Sequence, residues 1–531
     1  MKRYRLLWLI IILLILVRVL YFYAQPDLTT DHLSQMAMAQ HFLEGNGFSF
    51  KYLSSDLNIF YSTHIQWPPL YPFILALISF VTGNTLLSSF IIQIAVLVSL
   101  MFIWNKIFIL FNNLISEKAY FYFISLLIIS TSIINNINTI LVFSLLLLSL
   151  SLYFTFSYLF DKESKIALIF SSFFAGLLFW THYSYFFVAF YPAVVFGVIF
   201  YLRKEKKYLF TALASFALSF IVALGVLVYN YITTGFINYM DNPHIWNAGF
   251  FPEHLLLTDP FFLNAFFNSS YFYHYILKTE HDVLLTISLQ IISFAVFITI
   301  CFLLLKLRKN KSLPFDKSSL MFLPFIAIIF TTISFLLYFT LHYNEIPRPG
   351  WTHIGDPRYL SPVYLAILAI VILLMSIKAD YFNKKFLSFL KQLILILIVL
   401  SLAINIFITF KEWGNYSFNK NIYNMPEVEL QALFDNIKLE ASLGKKVVFI
   451  DNDLTVRSFR ISQYAGAAVI NSNEAVHIKN FNSNFVFFFF LPVTEQYRDE
   501  DYRLLQWCEK FNSKFIGKVY TKLNLYKVNS L

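Results

Sequence analysis

Long apolar runs separated by short polar loops dominate most of the chain. They fall near residues 6–24, 85–111, 119–134, 140–160, 165–182, 184–202, 208–231, 283–305, 318–341, 360–377 and 387–410. A helix needs about twenty apolar residues to cross a hydrocarbon core of about 30 Å, and most of these runs approach that length. The pattern therefore predicts about 11 membrane-spanning helices. A further apolar stretch, "WPPLYPFILALISFVTG" at 67–83, is short behind its Pro-Pro start and is expected to lie in the interface or re-enter it. Before it, "TTDHLSQMAMAQHFLEG" at 29–45 spaces Leu33, Met36, Ala37, Gln40 and Leu43 by threes and fours. That spacing predicts a second interfacial helix, with Asp31 as its N-terminal cap.

From about residue 411 the pattern changes. KKVVFI at 445–450 and NFVFFFFL at 484–491 have the length and composition of buried strands. EVELQALFDNIKLE at 427–440 and DEDYRLLQWCEKF at 499–511 have helical periodicity. Alternation of short buried strands with helices predicts a small α/β domain.

Composition removes a soluble enzyme from consideration. The 531 residues are 58% hydrophobic and 13% charged, about half the charged share of an ordinary globular chain. A net charge of +10 would suit nucleic acid, but the positions of the basic residues exclude that partner. They lie in alternate loops: Lys118; Lys162 and Lys165; RKEKK at 203–207; KLRKNK at 306–311 with Lys317; and Lys378, Lys384, Lys385 and Lys391. The intervening loops hold only Lys51, Lys278, Arg348 and Arg358. Basic residues stay in the cytoplasm, so this asymmetry places the N-terminus inside and the C-terminal domain outside. It works only if 67–83 does not cross. MKRYR and the run behind it lack a small-x-small cleavage site, and read as a retained first span. Cys301 and Cys508 are the two cysteines, too far apart in this scheme for a disulfide or a cysteine-metal site.

The spans are almost free of Asp and Glu, which speaks against an ion-coupled transporter. Polar groups gather in the outer loops and at the outer ends of spans. They include Asp31, "HIQWPPLYP" at 64–72, "YNYITTGF" at 229–236 with its helix stop at Gly235, and "GDPRYLSPVYLAIL" at 355–368. Each has a structural reading: a cap, interface anchors such as Trp67 and Tyr71, or belt residues such as Arg358 and Tyr359. Arg358 is also suited to hold a phosphate. His182 lies at an outer turn, and Arg18 lies near the outer end of the first span, where it can snorkel or face a cleft. His32, His41 and His64 share a loop with Asp31, but their spacing does not make a metal site.

Taken in order, these segments resemble the GT-C fold polyprenyl-phosphate-sugar glycosyltransferases, the superfamily of protein O-mannosyltransferases and lipid A aminoarabinose transferases. The resemblance covers residues 1–410. It rests on Asp31 followed by Ala37 or Ala39, Leu43 and Gly45, on WPPLYP, on Asn230 to Gly235, and on Arg358, Tyr359, Leu360 and Pro362. Three departures stand out. Trp67 replaces the usual His, Asn138 in "NNINT" stands where an acidic residue is common, and Thr181-His182-Tyr183 replaces a Thr-Lys-Gly turn.

The resemblance implies a GT-C domain over 1–410, with interfacial helices in an outer loop at 25–84, and an extracytoplasmic α/β domain over 411–531. It implies sugar transfer from a polyprenyl-phosphate donor to a glycan, lipid or protein acceptor at the outer face of the inner (plasma) membrane. Asp31 would be the catalytic base, and Arg358, Tyr359, His182 and Arg18 would serve the donor phosphate or lipid. His32, His64, Trp67, Asn138 and Asn230 would line the substrate cleft. No cofactor is required, and a divalent cation alone is left open. A glycolipid flippase and a polysaccharide polymerase or ligase are the alternatives.

Overall fold

The computed structural model describes residues 5–24, 30–63, 67–134, 139–237, 261–268, 315–342, 357–377, 384–415, 431–451, 467–479, 481, 483–492, 499–519 and 523–529, with isolated positions between 288 and 302. The expected span at 283–305 lies outside the continuously described residues, as do His64 and Asn138. The chain divides into two compact units. One comprises Met1–Pro26, Ile65–Pro69 and Phe90–Ser417, and the other Asp27–His64, Leu70–Ser89 and Phe418–Leu531.

The first unit is a helical bundle. Its helices are α1 (Arg5–Ala24), α5 (Lys118–Ile129), α6 (Thr139–Ser157), α7 (Lys165–Phe179), α8 (Tyr191–Arg203), α9 (Lys206–Thr234), α10 (Phe261–Asn264), α11 (Phe315–His342), α12 (Pro357–Ser376) and α13 (Lys384–Asn415), together with most of α4 (Thr85–Leu110). Among the described residues seven helical segments are long and apolar enough to cross a membrane, and Lys118–Ile129, Lys165–Phe179 and Leu320–Phe335 are shorter apolar helices. The chain is a multi-pass membrane protein. Its α1 shows how such a helix is divided: Ile11, Leu14, Arg18, Tyr21 and Phe22 form one buried stripe, and Leu9, Leu13, Leu16 and Leu20 remain exposed.

Bundle packing rests on small residues and hydroxyls, as expected where lipid competes for apolar contact. Ser172 and Gly176 of α7 meet Ser215, Ser219 and Val222 of α9. The Ser172 and Ser215 hydroxyls lie 2.7 Å apart, and Ser219 Oγ donates to the Ser172 carbonyl at 3.1 Å. A Cβ on Gly176 would stand 2.7 Å from Val222 Cβ and 2.8 Å from the Ser219 carbonyl, so only glycine permits this approach. Where α6 was expected to run from 140 to 160, its last turn widens into a π-helical turn at Tyr158–Lys162. The expected span at 119–134 is also cut short. Helix α5 stops at Ile129, because Ser130–Ile134 leaves the helical path for polar partners described below.

The second unit is built around a seven-stranded sheet of order β2-β1-β4-β3-β5-β7-β6. Its strands are β1 (Ser49–Leu53), β2 (Ile59–Thr63), β3 (Lys446–Asp451), β4 (Ala468–Asn471), β5 (Phe485–Pro492), β6 (Asn512–Val519) and β7 (Leu523–Asn529). The central run of β5 is apolar throughout because both its faces are covered. Phe485, Phe487, Phe489 and Leu491 join one core with Leu504, Trp507 and Phe511, from α16 (Asp499–Cys508) and the residues after it. Val486 and Phe488 join the opposite core with Leu433, Phe434 and Ile437 of α14 (Gln431–Ser442). A short α15 (Ser472–Ala475) follows β4.

The hairpin β1–β2 comes from the first loop, and β1 pairs in parallel with β4 through Tyr52 and Val469. The sequence predicts two helices and no strand for that loop. Both helices are present, as α2 (Thr30–Leu43) and α3 (Leu70–Thr82). At 13 residues, α3 is about 20 Å long, shorter than the hydrocarbon core. It buries Tyr71, Leu75 and Ser79 and exposes Phe73, Leu77, Phe80 and Val81.

Candidate functional site

Helix α2 carries Asp31 in its first turn, one residue inside the helix start. Its far end is closed by a Schellman motif: the Asn46 N–H donates to the His41 carbonyl at 2.9 Å, and the Gly45 N–H to the Phe42 carbonyl at 3.1 Å. Gly45 sits at φ +83°, which explains the glycine at the end of the "A…L…G" pattern. The one-sided burial expected of an interfacial helix is not observed. Residues 32–39 are all buried, and Leu43 is exposed. His32 sets its ring edge-on to Tyr71 of α3, with centroids 5.9 Å apart. The Tyr71 hydroxyl reaches Ser89 Oγ at 3.5 Å. His41 donates from Nδ1 to the Ser49 carbonyl at 2.7 Å and lies against Tyr61, which fastens the β1–β2 hairpin to α2. Burial holds the His41 ring below its ordinary value, against the opposing pull of the Ser49 carbonyl and Glu44. Gln35, one turn after Asp31, is fully buried, and among the described residues neither its Nε2 nor its Oε1 has a hydrogen-bond partner.

A second cluster lies within the bundle unit, around His182. The ring is edge-on to Trp67 at 5.2 Å and to Tyr359 at 5.6 Å, and tilted against Tyr185 at 5.6 Å. Three residues expected in the site, Trp67, His182 and Tyr359, are thus brought together. The backbone explains how. His182 caps the short 3-10 turn Tyr183–Tyr185, with Nδ1 accepting from the Ser184 N–H at 3.2 Å and lying 2.6 Å from Ser184 Oγ. Because a backbone N–H can only donate, Nδ1 is the unprotonated nitrogen. A neutral ring therefore carries its proton on Nε2, as a donor. Tyr185 in turn lies 3.2 Å from Ser361 Oγ on α12. Helix α12 starts at Pro357, whose fixed φ suits the first position, so Arg358 and Tyr359 fall in its first turn. Thr181 serves packing, receiving a hydrogen bond from Ser144 Oγ at 2.8 Å.

Asn230 has a positioning role. Its Nδ2 donates to the Tyr183 hydroxyl at 2.8 Å and to the Ile237 carbonyl at 3.0 Å, holding the chain that follows α9. Gly235, at φ +78°, closes α9 with its N–H on the Tyr231 carbonyl at 2.9 Å. Arg18 is fully buried, donates to the Ser130 carbonyl at 3.4 Å, and lies over Tyr21 and Phe22. It is not a snorkelling side chain. Ser130 begins the polar layer that ends α5. There Thr131 donates from its N–H and hydroxyl to Asn405 Oδ1 at 3.3 and 3.2 Å, and Ser132 donates to the Asn264 carbonyl. Asn264 Nδ2 donates to the Tyr364 hydroxyl at 3.1 Å, and Asn405 Nδ2 to the Phe266 carbonyl at 2.7 Å. Among the described residues no three of His, Cys, Asp and Glu gather where they could hold a metal ion.

Neither a protein-family profile nor a curated protein matches the sequence. Solved structures do. The chain is similar to ArnT from Cupriavidus metallidurans bound to undecaprenyl phosphate, with TM-score 0.57 and 11% identity over 99% of this chain and 98% of that one. For ArnT in the apo state the TM-score is 0.56 and the identity 10%, with the same coverage. The Archaeoglobus fulgidus oligosaccharyltransferase tethered with an acceptor peptide aligns at TM-score 0.48 and 10% identity, over all of this chain and 75% of that one. Matched to ArnT along nearly the whole of both chains, this multi-pass protein has the GT-C fold that its ordered segments led one to expect.

Proposed function

We propose that the protein is a membrane glycosyltransferase that moves a sugar from a polyprenyl-phosphate donor to an acceptor hydroxyl or amine. The site of action would be the extracytoplasmic face of the plasma membrane. The observation that carries this reading is the fold match, end to end, with an enzyme bound to undecaprenyl phosphate. Asp31 takes the proton from the acceptor as its oxygen or nitrogen attacks the anomeric carbon. The new bond forms as the bond from that carbon to the phosphate oxygen breaks, and the polyprenyl phosphate leaves with both bonding electrons. A single displacement of this kind inverts the anomeric centre. Charge developing on the phosphate calls for donors, and the Nε2–H of His182 and the Arg358 guanidinium would supply them. Tyr359 and Trp67, packed on His182, fix that ring's orientation.

Replacing Asp31 by Asn keeps a side chain of the same shape and removes the base. Transfer from lipid-linked sugar in membranes should fall by about 10²-fold or more, at unchanged protein level. Transfer at the wild-type rate by a folded Asp31→Asn protein would refute the assignment.

A further inference from the structure

Gln35 is an anomaly. Buried carboxamides in folded proteins are hydrogen-bonded almost without exception, because both their donor and acceptor lose water on burial. Here the side chain is fully buried, and neither polar atom has a hydrogen-bond partner among the described residues. Nothing about helix formation demands Gln at this position. Leu or Met would fill the same space with comparable helix propensity and without the desolvation cost. The residue is also placed pointedly. It stands four positions after Asp31 in α2, so both lie on one face of the helix, a turn apart.

We propose that Gln35 binds the sugar of the lipid-linked donor through its ring hydroxyls. This rests on the glycosyltransferase reading of Asp31. A carboxamide presents one acceptor and two donor hydrogens in a plane, and adjacent ring hydroxyls each donate and accept, so one side chain can engage a neighbouring pair. A site built in this way stays costly when empty and is satisfied when filled, and it discriminates between sugars by the orientation of their hydroxyls.

The test compares wild type with Gln35→Met by thermal unfolding of the purified full chain in detergent. It is run with no ligand, with undecaprenyl phosphate, and with a panel of undecaprenyl-phosphate-linked hexoses and pentoses. Without ligand, Gln35→Met should be as stable as wild type or more so, since an unsatisfied amide has been removed. Undecaprenyl phosphate should raise both transition temperatures alike. At least one lipid-linked sugar should raise wild type further, and that increment should shrink in Gln35→Met, with KM for the same donor up roughly tenfold. An equal sugar increment in the two proteins overturns the proposal and leaves the glycosyltransferase reading standing. So does a marked loss of stability in ligand-free Gln35→Met, which would mark Gln35 as structural. If neither lipid shifts wild type, both fail together.

Discussion

Along the seam between α7 and α9, the buried hydroxyls of Ser172, Ser215 and Ser219 are used up by packing. In α2, Gln35 is just as deeply buried, and neither of its polar atoms has a hydrogen-bond partner among the described residues. The contrast separates two uses of polarity. In the seam, small polar residues let two backbones approach closely and answer each other's hydrogen bonds, which stabilises the bundle and leaves nothing for a ligand. In α2 the Gln35 amide finds no such answer among the described residues, and the proposed sugar contact is what would supply it. Buried polarity by itself is therefore a poor guide to function in this molecule. Whether the protein itself answers that polarity is the further question Gln35 raises.

The comparison can be broken from either side. The largest effect is expected at Gly176. Leucine there drives a Cβ to within 2.7 Å of Val222 Cβ and forces α7 and α9 apart. A loss of about 3 kcal/mol or more is expected, read as a lower unfolding temperature in detergent. Little change would mean that the seam is not tightly packed.

A smaller effect concerns His41, which joins α2 to the hairpin outside the candidate spans. Burial lowers its titration from the ordinary 6.5. Below that value the unfolded chain binds more protons than the folded one, so the His41 contribution is fully present above about pH 6.5 and is lost as pH falls towards the folded-state value. His41→Phe should cost about 1 kcal/mol at neutral pH and flatten the loss of stability on acidification. An unchanged pH profile would contradict the role given to the ring. The smallest effect is Ser215→Ala, expected to cost about 0.6 kcal/mol because Ser172 then loses one seam partner. A much larger cost would move the seam's polarity from packing towards function.

Much of this architecture was legible in the sequence, and the parts that were not share a cause. Apolar length and loop charge located the helices of the bundle because each is a local property. The KKVVFI and NFVFFFFL runs gave β3 and β5, since a strand covered on both faces is apolar throughout. The β1–β2 hairpin escaped because its five-residue strands carry Lys51, Ser62 and Thr63 and join the sheet through β1 pairing with a strand some four hundred residues later. Non-local pairing leaves no local trace. The early end of α5 escaped for a similar reason: the hydroxyls of "STSII" are tolerated inside a membrane helix, and it is their distant partners Asn264 and Asn405 that draw the segment out of it.

At the site, chain order picked out Trp67, His182 and Tyr359, which pack together. It also picked out Arg18, which donates to the Ser130 carbonyl, and Asn230, which donates to the Tyr183 hydroxyl and the Ile237 carbonyl. Gln35 was passed over because a Gln between apolar residues on a short helix ordinarily faces water. The signal is the lack of a hydrogen-bond partner for its amide among the described residues, and that is seen only once the helix is packed.

The central claim is that this fold performs sugar transfer with Asp31 as the base. The most direct measurement incubates the purified protein with undecaprenyl-phosphate-linked sugars, labelled in the sugar, and with membranes as acceptor source. It follows both the labelled product and the freed undecaprenyl phosphate. Wild type should release lipid phosphate and labelled product in equal amounts, with the anomeric configuration inverted, and Asp31→Asn should release neither above background. Equal release by Asp31→Asn, or a product of retained configuration, would contradict the account.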